Sequence, residues 1–253
     1  MMIQIEGECP QPRSLAAQRP LVSIIIVVFE ACEELRQVMQ SIVPHLSEQV
    51  EVVVVDGGST DGTQEVFQEY RQRIQYWISE KDSGIYDAMN KGVAAARGQF
   101  LIHVNAGDRL LNLPLRDLSA ALEDGVDIAA YRVLVDGTHP FRPSFGIALN
   151  FNNTLHHQGT FFRKDSFLAY NTSYKVFADF DVNQRLAARG VRTRIFEDIV
   201  AVHSSDGTSH KSDSREFFRI IRHNHGLVYV GIAWFLCKWR GLKVRLGRMG
   251  PEK

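Results

Sequence analysis

The stretch VEVVVVDGGSTDGT, residues 50–63, decides the fold. Its first six residues are apolar and β-branched except for Glu51, with no polar alternation, which is the pattern of a strand buried on both faces. A polar, glycine-rich loop follows and opens onto a segment carrying Val66, Phe67 and Tyr70 at helical spacing. Strand, loop and helix make one half of a βα unit, and the same rhythm runs outward in both directions. Upstream, LVSIIIVVF (residues 21–29) reads as another buried strand. It leads into a helix with Leu35, Val38, Met39 and Ile42 on one face, closed by Pro44. Downstream come a strand over Ile74–Ser79, a helix over Ile85–Arg97 with Gly98 in the C′ position, and a strand over Gln99–Val104. This alternation predicts an α/β domain: a Rossmann-like, mostly parallel sheet with helices on both faces. The second half is less regular. Strands are expected over 127–135, 160–162 and 190–196, the last returning to the sheet edge. A helix over 180–189 is expected to follow an acidic loop at Ala178-Asp179.

Three carboxylates punctuate the strands. Asp56, Asp82 and Asp108 lie 26 residues apart, each after an apolar run. Ligands of open α/β sheets bind beyond the carboxyl ends of the strands, so acids repeated at that edge suggest a metal together with a polar, sugar-bearing ligand. The loop Asp56–Thr63 suits a phosphate cradle, because glycines let backbone N–H groups approach an anion at a helix N-terminus. It equally suits an ordinary strand-to-helix turn. It is neither the dinucleotide fingerprint, which follows the first strand, nor a P-loop, since no G-x-x-x-x-G-K-[ST] is present.

Composition bounds the rest. The 253 residues, 45% hydrophobic and 23% charged, suffice for one large domain with a tail. Cys9, Cys32 and Cys237 are scattered and odd in number, so neither a disulfide framework nor a zinc site follows, which fits a reducing cytoplasm. Residues 1–20 lack the apolar core of a signal peptide and read as a mobile leader. The zero net charge hides a split: residues 211–253 hold ten Lys/Arg against three Asp/Glu, a balance of +7, leaving −7 for the remainder. Such a split suggests an anionic partner for the basic end.

VSIIIVVF, VVVVDGGSTDGT, EKDSGIYDAMNKG and HVNAGD, in that order and spacing, resemble the family 2 glycosyltransferases of the GT-A fold. Within that family the likeness is nearest to bacterial colanic-acid-type exopolysaccharide enzymes. It runs from about Leu21 to Ser209, so that residues 21–210 form the GT-A domain and 211–253 a basic, amphipathic helical segment. The resemblance implies transfer of a hexose-type sugar from a nucleotide-sugar donor to a hydroxyl of a growing, lipid-linked glycan, with inversion. Asp56 and Asp82 take the base and ribose contacts, with Phe29 and Glu30 flanking the base. Lys91 either orients the 82–87 loop or lies on a solvated helix face. Asn105-Ala106-Gly107-Asp108 occupies the place of the DxD-type metal motif, with Asp108 the direct ligand of Mg²⁺ or Mn²⁺. The fuller pattern has acids where this chain has Asn105 and Gly107, so the site carries less charge. Asp179 corresponds to the catalytic base, with Asp181 the neighbour to exclude; a helix cap is the structural alternative for Asp179. His157 and Gln158 line the acceptor side, and the loop from His203 to Ser209 closes over the diphosphate. His103, inside a strand, reads as a core histidine.

Residues 226–237 (GLVYVGIAWFLC) are too short to span a bilayer. With Trp234, Trp239 and the basic residues that follow, they suit either an interfacial helix on anionic lipid or a helix packed on the domain. The first would place the protein at the inner face of the plasma membrane. Nucleic acid is not expected as a partner, since no aromatic-basic module appears. Two other functions fit an α/β nucleotide fold. A sugar-nucleotide nucleotidyltransferase would carry a glycine-rich basic loop after the first strand, where this chain has Phe29-Glu30-Ala31-Cys32. An inactive sugar-nucleotide or glycan-binding module would have no use for both Asp108 and Asp179.

Overall fold

The computed structural model describes residues 5–8, 19–204 and 214–247. Ser209 and the rest of the 205–213 segment lie outside the described residues, as do Cys9 and Arg248. The elements run β1 (Ile5–Glu8), β2 (Val22–Val28), α1 (Cys32–Ile42), β3 (Val50–Asp56), α2 (Thr63–Tyr70), β4 (Tyr76–Ser79), α3 (Ile85–Ala95) and β5 (Phe100–His103). They continue with β6 (Arg109–Leu110), α4 (Leu115–Glu123), β7 (Ile128–Val135), β8 (His139–Phe141), β9 (Thr160–Arg163), α5 (Ala178–Ala188), β10 (Thr193–His203), α6 (Ser214–His225) and α7 (Leu227–Gly247).

All strands among the described residues join one sheet, in the order β1-β4-β3-β2-β5-β9-β7-β10-β6 with β8 on β7. The block β4-β3-β2-β5 is parallel throughout, as the βα rhythm requires. Beyond β5 the sheet is mixed: β9 runs antiparallel to both β5 and β7, while β10 runs parallel to β7. β10 does not close the edge as its alternation suggested, because the two-residue β6 pairs outside it. In the leader, Ile5–Glu8 form β1, antiparallel to β4 at the opposite edge.

Helices cover both faces. Ile24, Ile26, Val52 and Val54 enter a core with Leu35, Met39 and Leu118, while Val27 and Val55 enter another with Met89, Phe180 and Ile220. The second core includes α6 and, through Ala233, α7. α6 and the first part of α7 are therefore packed on the domain along one side. Gly98 is not a C′ residue, since α3 stops at Ala95 and Ala96 is extended. Its lack of a side chain serves close approach instead: a Cβ there would lie 2.5 Å from the Ser23 nitrogen.

Candidate active site

The carboxyl ends of β2, β3, β4 and β5 meet at one edge, and the expected residues gather there in two clusters. In the first, Asp56 ends β3 fully buried. It accepts hydrogen bonds from Ser59 Oγ (2.5 Å) and N–H (3.1 Å) and from Ser79 Oγ (2.5 Å). Glu30, at φ 48°, donates its N–H to Ser59 Oγ and accepts at Oε1 from the Thr60 N–H and Oγ1. These bonds tie the β2 and β3 loops together and leave Phe29 63% exposed beside Asp82. Only glycine fits between the two: a Cβ on Gly57 would sit 2.8 Å from Asp82 Oδ2 and 3.0 Å from Phe29 Cδ2. Asp82 accepts from the Gly84 N–H at 2.9 Å. Lys91 is not on a solvated face. Its Nζ lies 2.7 Å from Glu80 and 3.7 Å from Asp87, pinning the 80–87 loop to α3.

The second cluster lines a cavity bounded by Tyr86, Asn105, Asp108, His157, Asp179 and His203. Asp108 is 4% exposed. Its Oδ2 accepts from the Asn105 N–H (3.0 Å) and Gln158 Nε2 (3.1 Å), and its Oδ1 lies 3.0 Å from His203 Nδ1. Gln158 and His203, separated by 45 residues, are thus brought onto the Asp108 carboxylate; Gln158 is 1% exposed yet lines the same cavity as His157.

Asp179 stands across the cavity. It is the second residue of α5, not part of a preceding loop. Its Oδ2 accepts from Asn153 Nδ2 (2.7 Å), and its Oδ1 accepts from the Phe180 N–H (2.8 Å). The Tyr86 hydroxyl, 3.4 Å from Oδ1, donates at 2.7 Å to the Val176 carbonyl. Asp181 is excluded by orientation: it is 1% exposed and bonds Arg185 and Asn224, toward α6. His157 links the two sides. Its Nε2 is 3.2 Å from Asn105 Nδ2, and its Nδ1 is 3.7 Å from Asp179 Oδ2. With the amide nitrogen donating to Nε2, the ring proton sits on Nδ1, facing the carboxylate. Burial alone would raise the Asp179 pKa, but the neighbouring His157 ring and the Phe180 N–H outweigh it and hold the pKa below the usual carboxylate value. His156 points elsewhere, packing its ring edge-on against Phe141; burial and the neighbouring histidines push it down to about 4, so it is neutral.

Sequence reasoning passed over three residues that shape this side. Asn153 lies in an irregular stretch without periodicity and is itself held by Asn183 of α5 at 3.0 Å. Tyr86 sits inside the SGIYDAMNKG motif but carried no assigned role. Glu216 was counted only as a charge in the basic tail. It is 5% exposed and accepts the N–H groups of Lys175, Val176 and Phe177 at 2.7–2.8 Å, clamping the entry to α5.

Asp108 and its surroundings suit a hard cation. Among the described residues no three His, Cys, Asp or Glu side chains cluster to hold a metal. A cation beside Asp108 would find one carboxylate and two amides, and Asn105 Oδ1 and Gln158 Oε1 are buried oxygens without hydrogen-bond partners among the described residues. Carboxylate and amide oxygens are the ligand chemistry of Mg²⁺ and its hard relatives.

Residues 23–186 match the model of the glycosyl transferase family 2 domain. A PGL/p-HBAD biosynthesis glycosyltransferase of Mycobacterium bovis BCG is 30% identical over 214 residues, covering 79% of this chain and 83% of that one. Among solved structures, Staphylococcus aureus TarS 1-349 with UDP-GlcNAc superposes with a TM-score of 0.63 at 16% identity. That superposition covers 84% of this chain and 66% of TarS 1-349, so the chain spans just under two thirds of it. The mannosyltransferase PcManGT of Pyrobaculum calidifontis, with GDP-Man and Mn²⁺, superposes with a TM-score of 0.60 at 15% identity, covering 96% of this chain and 80% of that one. The sheet is that of the GT-A transferases, and the chain belongs to glycosyl transferase family 2.

Proposed function

We propose that this protein transfers a sugar from a UDP- or GDP-sugar to a hydroxyl of a growing, lipid-linked glycan at the cytoplasmic face of a membrane, inverting the anomeric centre. The observation that carries this reading is the placement of Asp108 and Asp179 on one cavity, with His157 between them. The exposed Phe29 ring and Asp82, on either side of Gly57, offer a face for a base and an acceptor for its N–H and ribose hydroxyls. Asp56 serves the same subsite by holding Ser59 and the loop in place. A divalent cation, Mg²⁺ or Mn²⁺, held by Asp108 with the amide oxygens of Asn105 and Gln158, would neutralise charge on the departing diphosphate.

The step needs one base. The acceptor oxygen attacks the anomeric carbon as the bond to the diphosphate oxygen breaks. The hydroxyl proton passes to Asp179, and the nucleoside diphosphate leaves with the bonding electrons. Asn153 and Tyr86 fix the orientation of that carboxylate, and His157 keeps it ionised. A single displacement requires no second carboxylate nucleophile.

A panel of UDP- and GDP-sugars, each with and without Mg²⁺ or Mn²⁺, tests the donor half. A ligand bound only by the native state raises the apparent melting temperature. Metal-dependent stabilisation by one donor is expected, and Asp108→Asn should abolish it. The substitution is Asn because Asp108 also binds the Asn105 N–H and Gln158, and its removal would strand these donors. If no nucleotide sugar stabilises the protein, the reading fails.

A further inference from the structure

We propose that the outward face of α7 is a docking surface for an anionic lipid bilayer, lying flat in the headgroup region. The helix packs on the domain by one side only: Ala233 is buried, and Tyr229 stacks on Phe151 with ring centroids 5.5 Å apart. The opposite side exposes Leu227, Val228, Ile232, Trp234, Phe235 and Trp239, each 42–74% accessible. Val228, Ile232, Phe235 and Trp239 are spaced by four, three and four residues, which is one continuous stripe on a helix. In sequence, Leu242 and Leu246 continue the spacing. Monomeric soluble proteins seldom expose contiguous apolar surface of this kind without using it.

Charge selects the occupant. Between Glu216 and Glu252 there is no Asp or Glu, whereas Arg219, Arg222, Lys238, Arg240, Lys243, Arg245 and Arg248 are basic. A second copy docking through the same stripe would bring like charge against like charge, with no acids on α7 to pair them. An anionic surface meets the same stripe with complementary charge. Lys238 Nζ lies 5.4 Å from the Trp234 ring centroid, so that apolar bulk and cation share one patch, as on interfacial helices. Among the described residues no helix is long and apolar enough to cross a membrane. The packed side of α7 reaches toward the cavity through Phe151, which it stacks upon and which is two residues from Asn153, the partner of Asp179. The proposal adds a surface to the lipid-linked-acceptor reading, but its test uses neither donor nor acceptor, so the two can fail separately.

Co-sedimentation with vesicles of phosphatidylcholine, with and without phosphatidylglycerol, is the experiment. The full chain should partition onto the anionic vesicles at low salt and blue-shift its tryptophan fluorescence. It should release as salt rises to about 0.5 M, where screening shortens electrostatic reach. The double variant Trp234→Ser, Phe235→Ser should lose at least about tenfold in partition, since both side chains carry exposed apolar area. Its melting temperature should be unchanged, because neither side chain supports the core. Failure of the full chain to bind anionic vesicles overturns the proposal. So does a dimer in sedimentation equilibrium that the double variant splits, which would assign the stripe to a second copy.

Discussion

Between Leu21 and Asp108, four parallel strands deliver Phe29, Asp56, Asp82 and Asp108 to one edge of the sheet, each at or just after the end of its strand. Between Phe151 and Gly226, no such repeat exists. There Asp179 is set by an irregular loop through Asn153, by a distant tyrosine, and by a carboxylate of α6 that clamps the segment before α5. The wall proposed for the donor is thus placed by backbone topology, and the wall proposed for the acceptor by side chains reaching across 26 to 93 residues of sequence. A wall placed by topology tolerates the loss of one side chain with a local effect. A wall placed by a relay of hydrogen bonds should transmit each loss to its end point.

The largest effect is expected where the relay ends. Asp179→Asn keeps the size of the side chain and removes the base, so kcat should fall by about a thousandfold, within the usual worth of general base catalysis. Donor affinity measured by calorimetry should hold, because the group acts mainly in the transition state. Loss of donor affinity together with kcat would place Asp179 on the donor wall and erase the distinction between the two.

Glu216 comes next, and separates positioning from chemistry. Its Oε1 accepts from Val176 and Phe177 and its Oε2 from Lys175. Glu216→Gln would turn an amide NH₂ toward at least one of these N–H groups. A stability loss of about 2 kcal/mol is expected, the scale of a hydrogen bond to a charged group. A fall in kcat of about tenfold at unchanged donor affinity should accompany it, recovered in part at lower temperature. The same clamp bears on truncation. Cutting at residue 211 removes Glu216 together with buried Ile220 and Ile221, and should unfold the second core. The α7 surface must therefore be probed by point substitution.

Donor-wall substitutions should be milder and confined to binding. Asp82→Ala removes a carboxylate that accepts from the Gly84 N–H of its own loop, and should weaken nucleotide affinity about tenfold, the worth of one charge-assisted hydrogen bond, with kcat at saturation little changed.

This contrast also governs what could be read from the chain alone. The valine and isoleucine runs at 22–28 and 50–55 leave no alternative to buried parallel strands, so the sheet and the acids at its edge were legible from hydrophobic pattern. Asp179 and Asp181 could not be told apart on local grounds. Both lie in the first turn of α5, and only the packing of α6 shows which one turns inward. Asn153 belongs to no periodic segment. Glu216 looked like a solvated charge, because nothing in its neighbourhood indicates that three backbone N–H groups from residues 175–177 converge on it. The mixed half of the sheet was harder for a related reason: β9 and β6 are four and two residues long, and the pairing of such strands is decided by tertiary contacts.

The smallest effect concerns His103, at the foot of the donor wall. It ends β5 fully buried, with both ring nitrogens unpartnered and its ring edge-on to Tyr170. Burial, with the nearby His157, lowers its pKa from the usual 6.5 to about 3, so the folded protein keeps it neutral while the unfolded chain protonates it as pH falls. Between those values the unfolded state binds more protons, so stability rises with pH and is lost on acidification. His103→Phe, close in shape and without a titrating group, should flatten that dependence. The variant should gain on the wild type by at most ~1.4 kcal/mol per pH unit below about 6, and differ little at neutral pH. Urea unfolding from about pH 4 to 7 measures it. A topologically placed wall predicts that donor affinity at neutral pH is unmoved, since the strand and not this ring carries Asn105 and Asp108 to the edge. If His103→Phe instead lowered donor affinity as strongly as Asp82→Ala, the donor wall too would depend on a side-chain relay, one running from His103 through His157.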